Sequence, residues 1–274
     1  MSEVLKCLAL LFPILLSVFG VLAQSVQQPV AGAYLKLNAY GIHQPDAVNM
    51  SAQQASMARA GKFSAGLYAE RRYMLNELAH YIAAFSVALD PGRIGVVIKY
   101  FGNPGYNESQ AGLAYARSIG EMDIGIQFNY FMFSTAGYGR SAAVNFEGGL
   151  MIPVHNKFRA GMHVYNPLGT GLLKLPQEHL PTIYSAGMGY ELSQHFFIGS
   201  LIEKEEGKPV DISVGMQYNF SKKLRAMAGV STALASFYFG AAIKIEEVRI
   251  QVSIHNHQRL GLTPGMSAVF GKEE

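Results

Sequence analysis

The sequence predicts an all-β chain: a transmembrane, antiparallel, up-and-down β-barrel of about 14 strands with an N-terminal plug segment. Three observations predict it. From Phe63 onward apolar and polar residues alternate with a period of two, the mark of strands with two unlike faces. The polar parity is filled with glycine and mixed charges. Short connections alternate with longer ones along the chain. Residues 1–23 read as a signal peptide, 24–62 as a periplasmic or plug segment, and 63–271 as the barrel.

Composition narrows the class. The chain has 274 residues, of which 29 are Gly, 15 Tyr, 16 Phe and none Trp. Only 15% are charged, against about 25% in ordinary soluble domains. Half of the residues are hydrophobic, yet beyond the first two dozen no run approaches the ~18 apolar residues of a membrane helix. A net charge of +3 is too small to point to nucleic acid. Cys7 is the only cysteine, so a processed chain has no disulfide.

Cys7 to Ala23 is an apolar run preceded by Lys6 and broken by Pro13, and Val21-Leu22-Ala23 is a small-residue cleavage signature. Ser25 to Lys62 shows no sustained alternation. It is rich in Gln, Ala and Ser, and Asn49 to Ala60 has the makings of one or two helical turns capped by Asn49 or Ser51. Barrels of eight strands are filled by their own side chains and those of sixteen or more hold an aqueous channel. Two readings of this spare segment compete: a disordered exported leader, and an ordered plug inside or beneath the barrel. A fourteen-stranded wall lined by glycine leaves room that only this segment is available to fill, which favours the plug.

The strands follow in order. Phe63, Ala65, Leu67 and Ala69 oppose Ser64, Gly66, Tyr68 and Glu70. Ala79 to Leu89 makes a second strand, and Asp90-Pro91-Gly92 a tight turn. Ile94, Val96, Ile98 and Tyr100 make a third, ending at Asn103-Pro104-Gly105, and Ala111, Leu113 and Tyr115 mark a fourth. In the fifth, Ile124, Ile126, Phe128, Tyr130 and Met132 face one way; Asp123, Gly125, Gln127 and Asn129 face the other, with Phe131 the one apolar intruder. Val144 to Ile152 and Phe158 to Val164 are the sixth and seventh. A loop from Asn166 to Pro181 carries three prolines. Tyr184 to Tyr190, Phe196 to Ile202, and Ile212 to Phe220 continue the pattern, the last without exception. Leu224 to Val230, Phe237 to Ile243, Val248 to His255 and Leu260 to Phe270 complete it. The even-to-odd links are all short, as periplasmic turns should be.

The apolar parity is read as facing lipid. A soluble barrel would show Lys, Glu and Thr on its polar faces, where glycine is unfavourable. Here that parity carries Gly95, Gly125, Gly161, Gly187 and Gly215 among Arg, Glu, Gln and Asn, which suits a crowded wet lumen. The other parity is almost free of charge in its middle, where Arg or Lys costs about 2–4 kcal/mol. Tyr100, Tyr130, Tyr190, Tyr218 and Phe220 fall near strand ends, where an aromatic girdle belongs.

The leader, the spare segment and the strand count together resemble the FadL-type superfamily, which includes hydrophobic-compound transporters and the PorV/PorQ-like proteins of type IX secretion. Phe158 to Gly169 and Tyr106 to Tyr115 are similar to strand phrases of the second branch. The resemblance covers the chain from residue 24 as pattern rather than as a diagnostic motif. It implies a bacterial outer-membrane protein, serving passage of small hydrophobic molecules or a secretion assembly. Its partners would be outer-membrane lipid and other outer-membrane or secretion-system proteins. A structural or docking barrel without transport is the alternative.

No enzyme is expected. His43, His163, His195, His255 and His257 lack metal-ligand spacing, and no nucleophile elbow or phosphate-binding loop is present. No cofactor, catalytic residue or metal site is assigned. Glu203-Lys204-Glu205-Glu206 reads as a solvated rim. The candidate lumen and plug-anchoring residues are Glu70, Arg72, Arg93, Lys99, Asp123, Glu147, Arg159, His163, Glu191, Asp211, Arg225 and Arg249, all on the inward parity.

Overall fold

The computed structural model describes residues 33–41, 46–173, 175–232 and 236–271. The expected signal peptide, and residues 24–32 and 42–45 of the segment behind it, lie outside them. Among the described residues sixteen strands form. β1 (Phe63–Arg71), β2 (Ala79–Leu89), β3 (Gly92–Asn103), β4 (Tyr106–Ile119), β5 (Met122–Thr135), β6 (Gly139–His155) and β7 (Phe158–Tyr165) come first. A short hairpin of β8 (Gly171–Leu172) and β9 (Leu175–His179) follows. β10 (Ile183–Glu191), β11 (Phe196–Glu205), β12 (Asp211–Asn219), β13 (Leu224–Ser231), β14 (Ser236–Ile245), β15 (Val248–His257) and β16 (Gly261–Gly271) complete the chain.

β8 and β9 pair antiparallel only with each other, while the other fourteen strands pair antiparallel around a ring in which β7 meets β10 and β1 meets β16, closing a barrel. Closure removes every free edge. The stretch Asn166 to Pro181, expected as a loop, holds the extra hairpin; its prolines and short runs hide a pair too brief for periodicity to register.

Exposure decides which face is which. Leu67, Phe128 and Met216 on the outward parity are 63%, 59% and 53% exposed, whereas Glu147 and Asp123 on the inward parity are each 1% exposed. Large apolar side chains thus form the outer surface and charges the interior, the reverse of a water-soluble barrel. Aromatic pairs ring the strand ends. Phe63 meets Phe85 and Phe270 edge-on, Tyr218 meets Phe220 edge-on, and Phe158 lies beside Tyr190. An arginine in place of Phe128, midway along β5, is expected to cost about 2–4 kcal/mol. Urea titration of refolding into lipid vesicles checks this, and an unchanged midpoint would contradict a lipid-facing position.

Among the described residues, a helix, α1 (Ala33–Asn38), and the 3-10 turns Asn49–Ser51 and Gln54–Arg59 lie inside the wall. Contrary to the expectation that Asn49 or Ser51 caps the first turn, both lie within it, and the Asn49 N–H donates to Asp46 Oδ1 at 2.9 Å. Asp46 was hidden because a cap three residues upstream follows two prolines and no apolar period.

Candidate functional site

The inward parity and the inner segment, residues 33–41 and 46–60, meet on a track of glycines. Leu37 sits against Gly215 and Gly199, and the Tyr40 ring lies on Gly187 and Gly161. Val48 covers Gly66, the Met50 and Met57 sulfurs cover Gly95, and the Gln53 amide covers Gly149. At Gly125 the approach is backbone to backbone: a β-carbon there would stand 2.5 Å from the Gln54 carbonyl carbon and 2.6 Å from the Ala55 nitrogen. Glycine on the polar parity is therefore explained by what it touches. Tyr34, Leu37, Tyr40, Val48, Met50 and Met57 are all buried in one apolar cluster with Ile82, Val97 and Leu201 of the wall.

Charge fixes the segment at its ends and middle. Arg249 pairs with Asp46. Asp123 takes the Arg59 guanidinium at 2.7 Å and has Arg159 at 3.7 Å. Arg93 donates to the Ala58 carbonyl at 3.1 Å, and Lys99 to the Ser51 carbonyl at 3.2 Å. Glu191 lies beside Gly41. Lys36 on α1 binds both oxygens of Glu203 at 2.8 and 2.9 Å. Glu203 is thus no solvated rim residue. It shares the inward parity of Phe197, Gly199 and Leu201, a signal masked by the charge run around it.

Other candidates pair within the wall. Glu147 accepts from Gln127 Nε2 at 2.6 Å and Asn129 Nδ2 at 2.9 Å, and His163 Nε2 lies 3.0 Å from its second oxygen. Glu70 accepts from the Tyr68 hydroxyl at 2.6 Å and from Arg72 at 3.0 Å, and Arg72 lies over the Phe101 ring. Asp211 and Arg225 sit near strand ends, where Asp211 accepts from the Ser231 hydroxyl at 2.8 Å and Arg225 donates to Asn219 Oδ1 at 2.8 Å. The Gln127–Asn129 pair was not foreseen, because amides carry no charge signal.

At the end with the longer loops, a second apolar cluster joins Phe131, Ala143, Tyr165 and Ile183 of the wall to Leu172 and Leu180 of the β7–β10 connection. Phe131, the intruder in the β5 pattern, faces inward because this connection folds over it. Asn166, with φ of 51°, knots the connection: its amide donates to the Leu180 carbonyl at 2.7 Å and accepts from the Thr170 N–H at 3.0 Å. Among the described residues no group of three His, Cys, Asp or Glu is placed to hold a metal.

The arrangement is a closed wall, an occupied lumen and an apolar vestibule. Solved structures share the fold of the wall. The toluene transporter TbuX of Ralstonia pickettii superposes with a TM-score of 0.63 at 10% identity, over 91% of this chain and 98% of that one. The fold is that of a FadL-type outer-membrane barrel. A FadL homologue of Pseudomonas aeruginosa gives 0.61 at 11% identity, covering 90% and 99%. The monoaromatic hydrocarbon channel CymD gives 0.61 at 12%, covering 83% and 93%. No protein-family profile and no curated protein matches the sequence.

Within this barrel, burial pushes the phenols of Tyr34 and Tyr40 above their ordinary range. A raised folded value means that their contribution is full below the unfolded value of about 10 and fades as pH rises beyond it. Alkaline titration followed by tyrosinate absorbance is therefore expected to show late-ionising tyrosines whose appearance coincides with loss of the inner segment's protection from protease. Uniform ionisation near pH 10 with no such loss would contradict the packing of both rings.

Proposed function

We propose that the chain is a plugged barrel of the bacterial outer membrane that passes small hydrophobic molecules, with residues 24–62 as the plug. The observation that carries this reading is the fit of the inner segment to the glycine track, reinforced by its ion pairs to β5, β11 and β15. The FadL-type fold and the apolar cluster beneath the β7–β10 connection support the choice of cargo. In this orientation the end at which every turn has two to four residues, such as Gly120-Glu121, faces the periplasm, and the end that carries the β7–β10 connection faces outward.

Planar-bilayer recording tests the plug. The full chain is expected to carry little current, and a chain lacking residues 24–62 a steady large one; equal currents would overturn the plug. Uptake of a small aromatic hydrocarbon by cells with and without the protein tests the cargo. A second reading, a docking barrel of PorV/PorQ-like kind in a secretion assembly, is favoured by the β5–β6 hairpin tip, where Tyr138 is 92% exposed. Unchanged uptake together with recovery of a stoichiometric membrane partner would select it.

A further inference from the structure

The connection from β1 to β2, residues 72–78, folds inward over the strand ends instead of projecting from the barrel. The Tyr73 N–H donates to the Thr263 hydroxyl at 3.1 Å, and the Tyr73 ring meets His257 edge-on at 5.9 Å. The Arg72 guanidinium lies 5.2 Å from the centre of the Phe101 ring. Beneath this cover Thr263, His80 and His255 are 0%, 1% and 2% exposed. The cover is strained. Tyr73 and Met74 are both left-handed, with φ of 52° and 63°, a region that residues other than glycine seldom enter and that marks switch segments when it recurs.

One carboxylate fastens it. Glu70 Oε1 accepts from Arg72 Nε at 3.0 Å, and Oε2 accepts from the Tyr68 hydroxyl at 2.6 Å. His80 Nδ1 stands 3.8 Å from the same Oε1. Among the described residues His255 Nδ1 makes no hydrogen bond, and it lies within reach of the charges of Glu70, Arg72 and His257. The remaining ionisable groups around the cluster are engaged elsewhere. Lys99 donates to the Ser51 carbonyl at 3.2 Å, and Glu108, opposite Phe101, accepts from the Tyr106 hydroxyl at 2.6 Å. His257 Nδ1 accepts from the Arg259 and Leu260 N–H groups at 3.1 and 3.2 Å, the Tyr238 hydroxyl lies over Gly215, and Glu77 is exposed. With neutral imidazoles the cluster holds one anion and one cation. Protonation of His80 and His255 sets three cations against one carboxylate in a site closed to water, where unpaired charge is unfavourable. The ladders of β2 and β15 hold both histidines, whereas Arg72 sits in a 3-10 turn outside them. Arg72 is therefore the cation that leaves, and the connection leaves with it.

We propose that the β1–β2 connection is an acid-opened lid: at neutral pH the Glu70–Arg72 pair holds it over the strand ends, and charging of His80 and His255 releases it. Opening is expected below the ordinary imidazole value of about 6.5. It wets the inward face of β1, β2, β15 and β16 at the end of the barrel that carries the β7–β10 connection. The lid goes beyond the passage of cargo and stands whether or not the inner segment closes the lumen.

Electron paramagnetic resonance of a nitroxide on Leu75→Cys tests it, in the full chain with Cys7→Ser folded in lipid nanodiscs. Leu75 is 50% exposed and outside the cluster, so the label leaves the Glu70–Arg72 pair in place. As pH falls from 7 to 4 the mobile fraction of the spectrum is expected to rise several-fold and to revert on neutralisation. A label on Tyr138→Cys, at the β5–β6 tip, should not respond. The double variant His80→Gln/His255→Gln should keep the immobile spectrum down to pH 4, and Arg72→Gln should show the mobile one already at pH 7. Heat-dependent gel mobility confirms that each variant is folded; if the double variant is not, His255→Gln alone supplies the comparison, with a smaller acid response than the parent. A Leu75→Cys spectrum that is unchanged across the range would overturn the proposal. So would an acid response undiminished in the histidine variants, one shared by the Tyr138→Cys label, or an immobile label in Arg72→Gln at pH 7.

Discussion

Replacing Glu147 by alanine is expected to destabilise the barrel by about 3–5 kcal/mol, the usual cost of removing one partner from a buried charged network. The carboxylate is 1% exposed and binds Gln127, Asn129 and His163 at 2.6 to 3.0 Å. Without it those donors face one another across β5, β6 and β7, far from water. Gln110 adds to the strain, since its amide donates to Asn129 Oδ1 at 2.9 Å and depends on the same orientation. Glu147→Gln keeps the shape and one acceptor oxygen, and should lose less. The midpoint of urea unfolding, read from the heat-dependent mobility of the folded barrel on gels, measures both. Midpoints equal to the parent would mean that the network stores no stability.

Leucine at Gly125 is the second large effect. Its β-carbon would meet the backbone of Gln54 and Ala55, which cannot rotate away as a side chain can. Overpacking of this kind costs about 1–3 kcal/mol, and the cheapest relief is displacement of the 54–59 turn from the wall. That displacement breaks the Arg59–Asp123 pair. Trypsin should then cut after Arg59 in the folded barrel, and the current should rise. Gly148→Ala is the matched control, because Gly148 lies opposite Ile126 on the outward parity and its β-carbon would have only the Gly125 carbonyl at 3.7 Å. Cleavage at Arg59 that is the same in parent and Gly125→Leu barrels would falsify the close approach.

The wall was legible because its code is local. Alternation within each strand places Ile124 and Phe128 outward and Asp123 and Gln127 inward with no knowledge of partners. The glycines on the polar parity announced a crowded interior for the same reason. What filled it was less legible, since Asp46 and Arg249 are 203 residues apart and nothing in either residue type names the other. Lys36 and Glu203 posed the same difficulty, with the added disguise of a neighbouring charge run. The hairpin of β8 and β9 escaped because it is too short for a period, and the inward Phe131 could be explained only by the connection that covers it.

One feature of the wall reaches beyond the protein itself. On β5 and β6 the lipid-facing apolar side chains run from Met122 to Met132 and from Val144 to Val154, while Phe133 to Thr135 and Gly139 to Ala143 continue as paired strand past that belt to a turn at Tyr138. On β12 the apolar face takes up the whole strand, from Ile212 to Tyr218. Strands of about 9–11 residues suffice to cross the hydrocarbon, so the rim is a ramp, tall at β5–β6 and level with the headgroups at β12–β13. A bilayer meeting such a rim must thin beside the low side or let the cylinder lean toward it. The barrel therefore carries a compass bearing within the membrane plane, and neighbours in that plane will not meet all of its flanks alike.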